Sequence, residues 1–341
     1  MRFIKGLIIL ILTLAVLGGI AAAGGWVWLQ NEWVKPGPSA TEQAFEINSG
    51  EGLITVANRL ERQGIIKDAR ILRLAARINE ADTLIKPGEY KLPAGQSLEQ
   101  TLAQLVAGDV IQYRITIPEG RTTAQILRLI EADENLVGDL PEEVPAEGDL
   151  LPDTYFFEGE TTRTQMVERM VKARADLLED LWETRASDIP VKTPEEAIIL
   201  ASVVEKETGL AAERPQVAAV FTNRLRLGMR LESDPTIIYG VSKGEPLFNR
   251  RGQRRTLYRS EIDRVTPWNT YQIDGLPQTP ICNPGRDAIA AVLNPPESEY
   301  LFFVADGTGG HAFATTNEEH NRNVAAYRKI ERERIAAERA N

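Results

Sequence analysis

The stretch Thr193-Pro194-Glu195-Glu196-Ala197-Ile198-Ile199-Leu200-Ala201-Ser202-Val203-Val204-Glu205-Lys206-Glu207-Thr208-Gly209 reads as one helix, apolar almost all round, with two carboxylates near its end. Thr193 suits the N-cap, Pro194 the first helical position, and Glu196 the reciprocal carboxylate of a capping box. Gly209 marks the stop. At about 100° per residue, Glu207 falls on the stripe of Leu200, Val203 and Val204, and Glu205 falls with Ile198 and Ala201. Such a helix belongs at the centre of a core. A carboxylate buried in its last turn is disfavoured as an anion twice, by desolvation and by the negative end of the helix dipole. The raised pKa that results suits a general acid. The ordinary fate of acids at a helix end is to fray into solvent or pair with a cation, here Arg214 or Arg224. The continuous apolar surface favours a functional role for at least one of the two.

Outward from this helix, residues 215–227 carry the stripe Val217, Val220, Phe221 and Leu225 and stop at Gly228. The short link predicts a helical hairpin, with Asn223, Arg224 and Arg226 near the glutamates. Upstream, residues 161–182 predict an amphipathic helix. Downstream, Asp234-Pro235-Thr236 reads as the cap of a short helix. Residues 243–264 are polar and basic, an exposed insertion or, less simply, a contact for anionic substrate or lipid headgroups. Asn269-Thr270-Tyr271 and Asn283-Pro284-Gly285 read as turns. Residues 300–305 give a buried-strand signal, and the glycine-rich stretch at 306–310 fits a hairpin turn better than any phosphate cradle. A charged helix follows Glu318.

Towards the N-terminus, Arg2 and Lys5 precede a largely apolar run at residues 6–29, roughly 36 Å as a helix and enough to cross about 30 Å of hydrocarbon. Trp26, Trp28 and Trp33 sit where an interfacial belt is expected. The run continues past Ala21-Ala22-Ala23, which favours an uncleaved anchor over a signal peptide. The basic flank places residues 1–5 in the cytoplasm and the bulk of the chain outside it. Residues 30–42, with Pro36-Gly37-Pro38-Ser39, read as a linker. Residues 43–133 form a small α/β region of aromatic-led strands, glycine turns and helices. Residues 134–341 are a second, mixed α+β domain that opens on an acidic connector at 134–148.

Composition narrows the classes. With 43% hydrophobic and 26% charged residues, the chain is globular. Its net charge of −10 argues against nucleic acid as partner. One cysteine excludes an internal disulfide, and two histidines without Cys or His clustering argue against a structural zinc site. Cofactor-free chemistry outside the cytoplasm is expected, with no metal.

The pattern Phe45-x-Ile47-x-x-Gly50-x-Gly52-Leu53-x-x-Val56-Ala57-x-x-Leu60 resembles the first half of a LysM module, a fold that binds N-acetylglucosamine-containing glycans, although an ordinary β-turn-α unit has the same signature. More specific is the ordered set Glu147-Gly148…Pro152-Asp153-Thr154-Tyr155, Ala201-Ser202-Val203-Val204-Glu205-Lys206-Glu207-Thr208, Val220-Phe221-Thr222-Asn223-Arg224-Leu225, Asp234-Pro235-Thr236, Asn269-Thr270-Tyr271 and Asp306-Gly307…Gly310-His311-x-Phe313. It resembles the endolytic murein transglycosylase family. That resemblance implies a single-pass inner-membrane enzyme with a LysM-like module and a catalytic domain with a lysozyme-like helical core. The implied reaction cuts nascent peptidoglycan strands internally at the MurNAc-GlcNAc bond, leaves 1,6-anhydroMurNAc ends and terminates strand elongation. Glycan strands, the membrane and peptidoglycan synthases are the implied partners. The alignment gives Glu207 as the catalytic residue, with Glu205 as the fallback; Asn223, Tyr155 and Tyr271 are candidates to orient the sugar, or else core hydrogen-bonding residues. Two rivals stay open: a muramidase hydrolysing the same bond with Asp234 or Glu205 as second carboxylate, and a non-catalytic glycan-binding scaffold.

Overall fold

A computed structural model describes residues 2–340, with side chains from residue 6 to residue 336. The expected cytoplasmic segment at residues 1–5 lies outside the described side chains. The chain divides into two compact units, Met1–Tyr113 with Phe156–Glu160, and Arg114–Tyr155 with Thr161–Asn341. The division falls at Tyr113, twenty residues ahead of the expected boundary at 133.

In the first unit, helix α1 (Arg2–Val34) carries the apolar run. Its Gly6–Val34 portion is long and apolar enough to cross a membrane, with no burial inside the protein along its most apolar window. Next come strand β1 (Gln43–Ile47), helices α2 (Leu53–Arg62) and α3 (Ala69–Ile78), strand β2 (Gly88–Leu92) and helix α4 (Leu98–Ala107). β1 and β2 pair antiparallel, with Phe45 opposite Tyr90. Both aromatic rings point into a core with Leu60, Leu72 and Leu105. Helix α3, whose start is fixed by Asp68 accepting from Arg70 N–H, has no counterpart in the expected strand-turn-helix pattern.

The expected linker is packed rather than free. Gly37 N–H donates to Gly95 O and Gly95 N–H to Ser39 O, at 3.1 and 2.8 Å. Ser39 is buried. Trp33, expected in an interfacial belt, instead packs with Leu29 on the core of this unit, while Trp26 and Trp28 are exposed.

Strands β3 (Gln112–Thr116) and β4 (Thr154–Glu158) pair as a second small sheet, and the chain passes between the units within these strands. Helix α5 (Thr123–Ala132) belongs to the second unit. There α6 (Arg163–Glu183), α7 (Pro194–Glu207) and α8 (Arg214–Arg226) supply most of the core, the last two being the expected hairpin. Beyond them lie α9 (Asp234–Ser242) and the short α10 (Arg259–Ile262), which breaks the expected irregular insertion and is tied by Arg255 to Glu261. Helix α11 (Arg286–Leu293) follows directly on the turn read at Asn283-Pro284-Gly285 and packs Ala288, Ile289 and Val292 into the core with α7. Strands β5 (Phe302–Ala305) and β6 (His311–Ala314) form the expected hairpin, but β5 is half-buried rather than enclosed, and α12 (Asn317–Ala340) ends the chain.

At Gly37 an added Cβ would sit 2.4 Å from the backbone oxygen of Gln96 and 3.0 Å from that of Ile65. Backbone cannot yield as a flexible side chain does. Gly37→Ala is therefore expected to destabilise the first unit by about 1–3 kcal/mol, read as a lowered denaturation midpoint. A midpoint equal to wild type would mean that residues 36–39 do not hold this packing.

Candidate active site

Helix α7 begins as its sequence dictates and ends differently. Thr193 accepts from Glu196 N–H at 3.2 Å, but the Glu196 carboxylate takes Lys192 N–H at 2.6 Å, so the reciprocal bond falls one residue early. The helix stops at Glu207 because Thr208 is extended (φ −132°, ψ 131°), without a left-handed glycine cap. Between these ends Ala197, Ile198, Leu200, Ala201, Val203 and Val204 are fully buried.

The two acids of the last turn have different surroundings. Glu205, its side chain 5% exposed, lies 3.3 Å from Arg214 Nη2 and accepts Gly285 N–H at 3.0 Å. Arg214 also reaches Glu119 and Asp287, at 3.2 and 3.4 Å. Burial pushes the Glu205 carboxyl up, opposed by the Gly285 amide and the Arg214 charge. Glu205 thus meets the ordinary fate of a helix-end acid, an ion pair.

Glu207 has no cation bonded to it among the described residues. It is half-buried, with its carboxylate enclosed, and desolvation pushes its carboxyl up to about 7. Asp234 adds to the rise by like charge, while Ser233 and the more distant His311 act against it. The hydroxyl of Ser233 donates to Glu207 Oε1 in a short hydrogen bond.

Ser233 is itself held. It is the N-cap of α9, yet its side chain caps nothing. Its N–H donates to Thr270 Oγ1 at 3.0 Å, and its carbonyl accepts from Thr236 Oγ1 at 2.6 Å. The Thr236 and Thr270 hydroxyls meet at 2.9 Å. All three residues are buried. Asp234, expected as the cap, instead occupies the first turn of α9 and accepts from the Tyr271 hydroxyl at 2.9 Å. Asn269 anchors the loop beneath, donating to Ile262 O and Arg264 O and accepting Tyr271 N–H. The Asn269-Thr270-Tyr271 motif therefore carries the Ser233 hydroxyl and the Tyr271 ring to the end of α7.

Glu207, Asp234 and Tyr271 line one cleft of about 440 Å³, whose other wall includes Arg224 and the β5 residues Phe302 and Phe303. Arg224 is buried, with its donors occupied by the carbonyls of Leu301, Arg230 and Leu231 and by Glu232. It fixes the wall of the cleft. Of the three residues expected to orient a sugar, only Tyr271 lines it. Asn223 spends its amide on Ser298 O and Tyr300 O, at 2.7 and 3.1 Å, which ties α8 to the segment before β5. Tyr155 is buried and donates to Leu151 O at 2.8 Å, a core bond. Arg226 turns away to Asp188.

Ser233 had no place among the expected site residues, and His311 entered only as part of the ordered motif Gly310-His311-x-Phe313, without a role. Ser233 was signalled only as a serine ahead of Asp-Pro, the pattern of an ordinary N-cap. His311 has its Nδ1 2.7 Å from Glu213 Oε2 and donates its N–H to Glu213 Oε1 at 2.9 Å. Its glycine-rich context suggested only a turn. Among the described residues no group of acidic, histidine or cysteine side chains is arranged to hold a metal ion.

The same chain has relatives along most of its length. The endolytic murein transglycosylase of Bacillus subtilis strain 168 is 28% identical over 322 residues, spanning 85% of this chain and 86% of that one. The protein of that name from Streptococcus pneumoniae D39 is 30% identical over 327 residues, 82% of this chain and 57% of that longer one. A crystal structure of a YceG-like protein from Listeria monocytogenes superposes with a TM-score of 0.50 at 28% identity, covering 83% of this chain and 99% of that one. Residues 45–326 match the model of the YceG-like family, and the chain belongs to that family.

Proposed function

We propose that the protein is an endolytic lytic transglycosylase that cleaves the MurNAc-GlcNAc bond of peptidoglycan strands, with Glu207 as both acid and base. The observation that carries this reading is the single carboxyl raised to about 7, enclosed at the end of α7 and open to a cleft. The relatives named for the same activity support it.

Ser233 donates to Oε1, so the proton of neutral Glu207 resides on Oε2. In the first step that proton passes to the glycosidic oxygen as the bond to C1 of the muramic residue breaks. In the second, the carboxylate takes the proton of the muramic C6 hydroxyl, whose oxygen closes onto C1. The product is a 1,6-anhydro end, no water is consumed, and Glu207 is regenerated neutral. The Ser233 hydrogen bond stabilises the carboxylate between the steps. Tyr271, held by Asp234, is placed to orient the sugar.

The proposal includes the setting. Helix α1 is an uncleaved anchor in the cytoplasmic membrane, with the rest of the chain outside the cytoplasm. There the enzyme terminates nascent strands close to the synthases that extend them. The paired strands and two helices of the first unit serve as a LysM-like glycan contact, and α6, α7, α8 and α11 as a lysozyme-like helical core.

One observation favours a second reading. Asp234 shares the cleft with Glu207, and a hydrolase uses two carboxyl groups flanking the bond. Digestion of purified glycan strands followed by mass spectrometry decides between them. Anhydro ends are expected; hydrated reducing ends alone would establish a muramidase, and no cleavage in any form a binding scaffold.

Glu207→Gln is expected to lower kcat by about 100-fold or more without lowering the denaturation midpoint. Glu205→Gln should do the reverse, leaving Arg214 less well paired and costing up to about 3 kcal/mol of stability while keeping a measurable rate. A silent Glu205→Gln enzyme with wild-type stability would transfer the role to Glu205.

The first step needs the neutral acid, so kcat/KM should fall as pH rises through about 7. Ser233→Ala removes a contribution that holds this pKa down, and is expected to move that alkaline limb to higher pH and cut the rate by about 10-fold. An unmoved limb would show that the pH profile reports a group other than Glu207.

A further inference from the structure

Helix α1 runs unbroken from its apolar span into the core of the first unit. Trp26 and Trp28 are exposed, as side chains at a lipid-water boundary are, and Leu29 already packs on that core. Only three helical residues, roughly 4.5 Å, separate Trp26 from Leu29. Buried Glu32 is ion-paired with Lys35 and, at 2.9 Å, with Lys67, two residues ahead of α3. The bonds of Gly37 and Ser39 remove the slack that a free linker would give. A unit fastened this close to the end of a membrane span rests against the headgroup layer.

The start of α3 lies at that fastening, and its outward face has a matching character. Arg70, Arg73, Leu74 and Arg77 follow i, i+3, i+4, i+7 spacing on one side, while Ile71, Leu72, Ala75 and Ala76 are buried on the other. With Leu53 and Ile54 of α2 they line a groove of about 780 Å³. Ile54 and Leu74 are 60% and 49% exposed. Arg70 is paired with Asp68 at 2.8 Å, whereas Arg73 and Arg77 make no ion pair among the described residues. The groove is lined by three arginines and one acid, Asp82, in a chain of net charge −10, so this face runs against the average of the protein.

We propose that this face of the first unit is a membrane-docking surface. Its arginines take the anionic headgroups of the bilayer that α1 crosses, and Ile54 and Leu74 enter the interfacial layer. The proposal rests on the anchor reading above. Lipid is favoured over saccharide because the groove offers guanidinium groups beside aliphatic chains and no aromatic ring for a sugar to stack on.

The chain itself supplies a clean probe site. Cys282 is its only cysteine and is fully buried, so Leu74→Cys gives one accessible thiol for an environment-sensitive fluorophore. The labelled full-length protein is reconstituted into vesicles of phosphatidylcholine, with or without phosphatidylglycerol, and floated on a density gradient. In anionic vesicles the emission should shift to the blue and be quenched by brominated lipid. Both effects should weaken in high salt and be lost in the R70E/R73E/R77E variant, whose denaturation midpoint is measured alongside. Protein that floats while the probe stays water-like, or responds regardless of the three charge reversals, overturns the docking surface and leaves the anchor standing. A shift produced by soluble glycan strands without vesicles overturns it in favour of a saccharide groove. Protein that fails to float overturns the anchor reading and the docking surface with it.

Discussion

The site depends on the desolvation of one carboxyl group at the end of a helix whose body is packed on every side. Helix α7 has no freedom to shift, because Ile198, Leu200, Val203 and Val204 are fully buried within the core of the second unit. Its last residue is therefore delivered to a fixed place, where the protein withholds water from the carboxylate and offers one hydroxyl in exchange. One neutral donor compensates an anion far less than water does, and that deficit raises the pKa. The donor is made reliable by burial too. The Thr236 and Thr270 hydroxyls hold the Ser233 backbone carbonyl and N–H, which leaves the Ser233 hydroxyl free to donate to Glu207.

Glu205 shows what the same helix end does when a cation is supplied. It is two residues away and also buried, yet Arg214 and the Gly285 amide meet it. The difference between the two acids thus lies in their partners more than in the helix that bears them. Arg214 in turn draws Glu119 and Asp287, so the loop before α5 and the start of α11 converge on the last turn of α7. An ion pair on one side of the helix end and a desolvated acid on the other divide structural and chemical work between neighbouring residues.

This division explains what could be read in the sequence. The apolar run announced a central helix, its cap and the presence of acids in its last turn, because those signals are local. The hairpin of α7 and α8 and the strand pair at the glycine-rich turn were legible for the same reason. Arg214 was legible as a possible cation for one of the acids, but Ser233 and Gly285 were not, since they are separated from their glutamates by 26 and 80 residues and carry no periodic signature. Asn223 illustrates the opposite error. The short link between the two helices suggested a residue near the glutamates, but the carbonyls of Ser298, Tyr300 and Leu301, ahead of a half-buried strand, take its amide and the Arg224 guanidinium. Residues 36–39 looked like a linker because proline and glycine dominate them. There Gly37 serves close packing against the backbone at Gln96, a use that composition does not distinguish from flexibility.

In the proposed reaction the placing of Asp234 bears on both steps. Its carboxylate, held by the Tyr271 hydroxyl, raises the Glu207 pKa by like charge without bonding to it. While Glu207 is neutral, a nearby negative charge also favours positive charge developing at the sugar ring. Once Glu207 has given up its proton, two anions face one cleft. That repulsion raises the affinity of Glu207 for a proton at the moment when the muramic C6 hydroxyl must lose one. A second carboxylate can therefore serve a single-acid mechanism without touching the anomeric carbon, and its presence in the cleft does not by itself require hydrolysis.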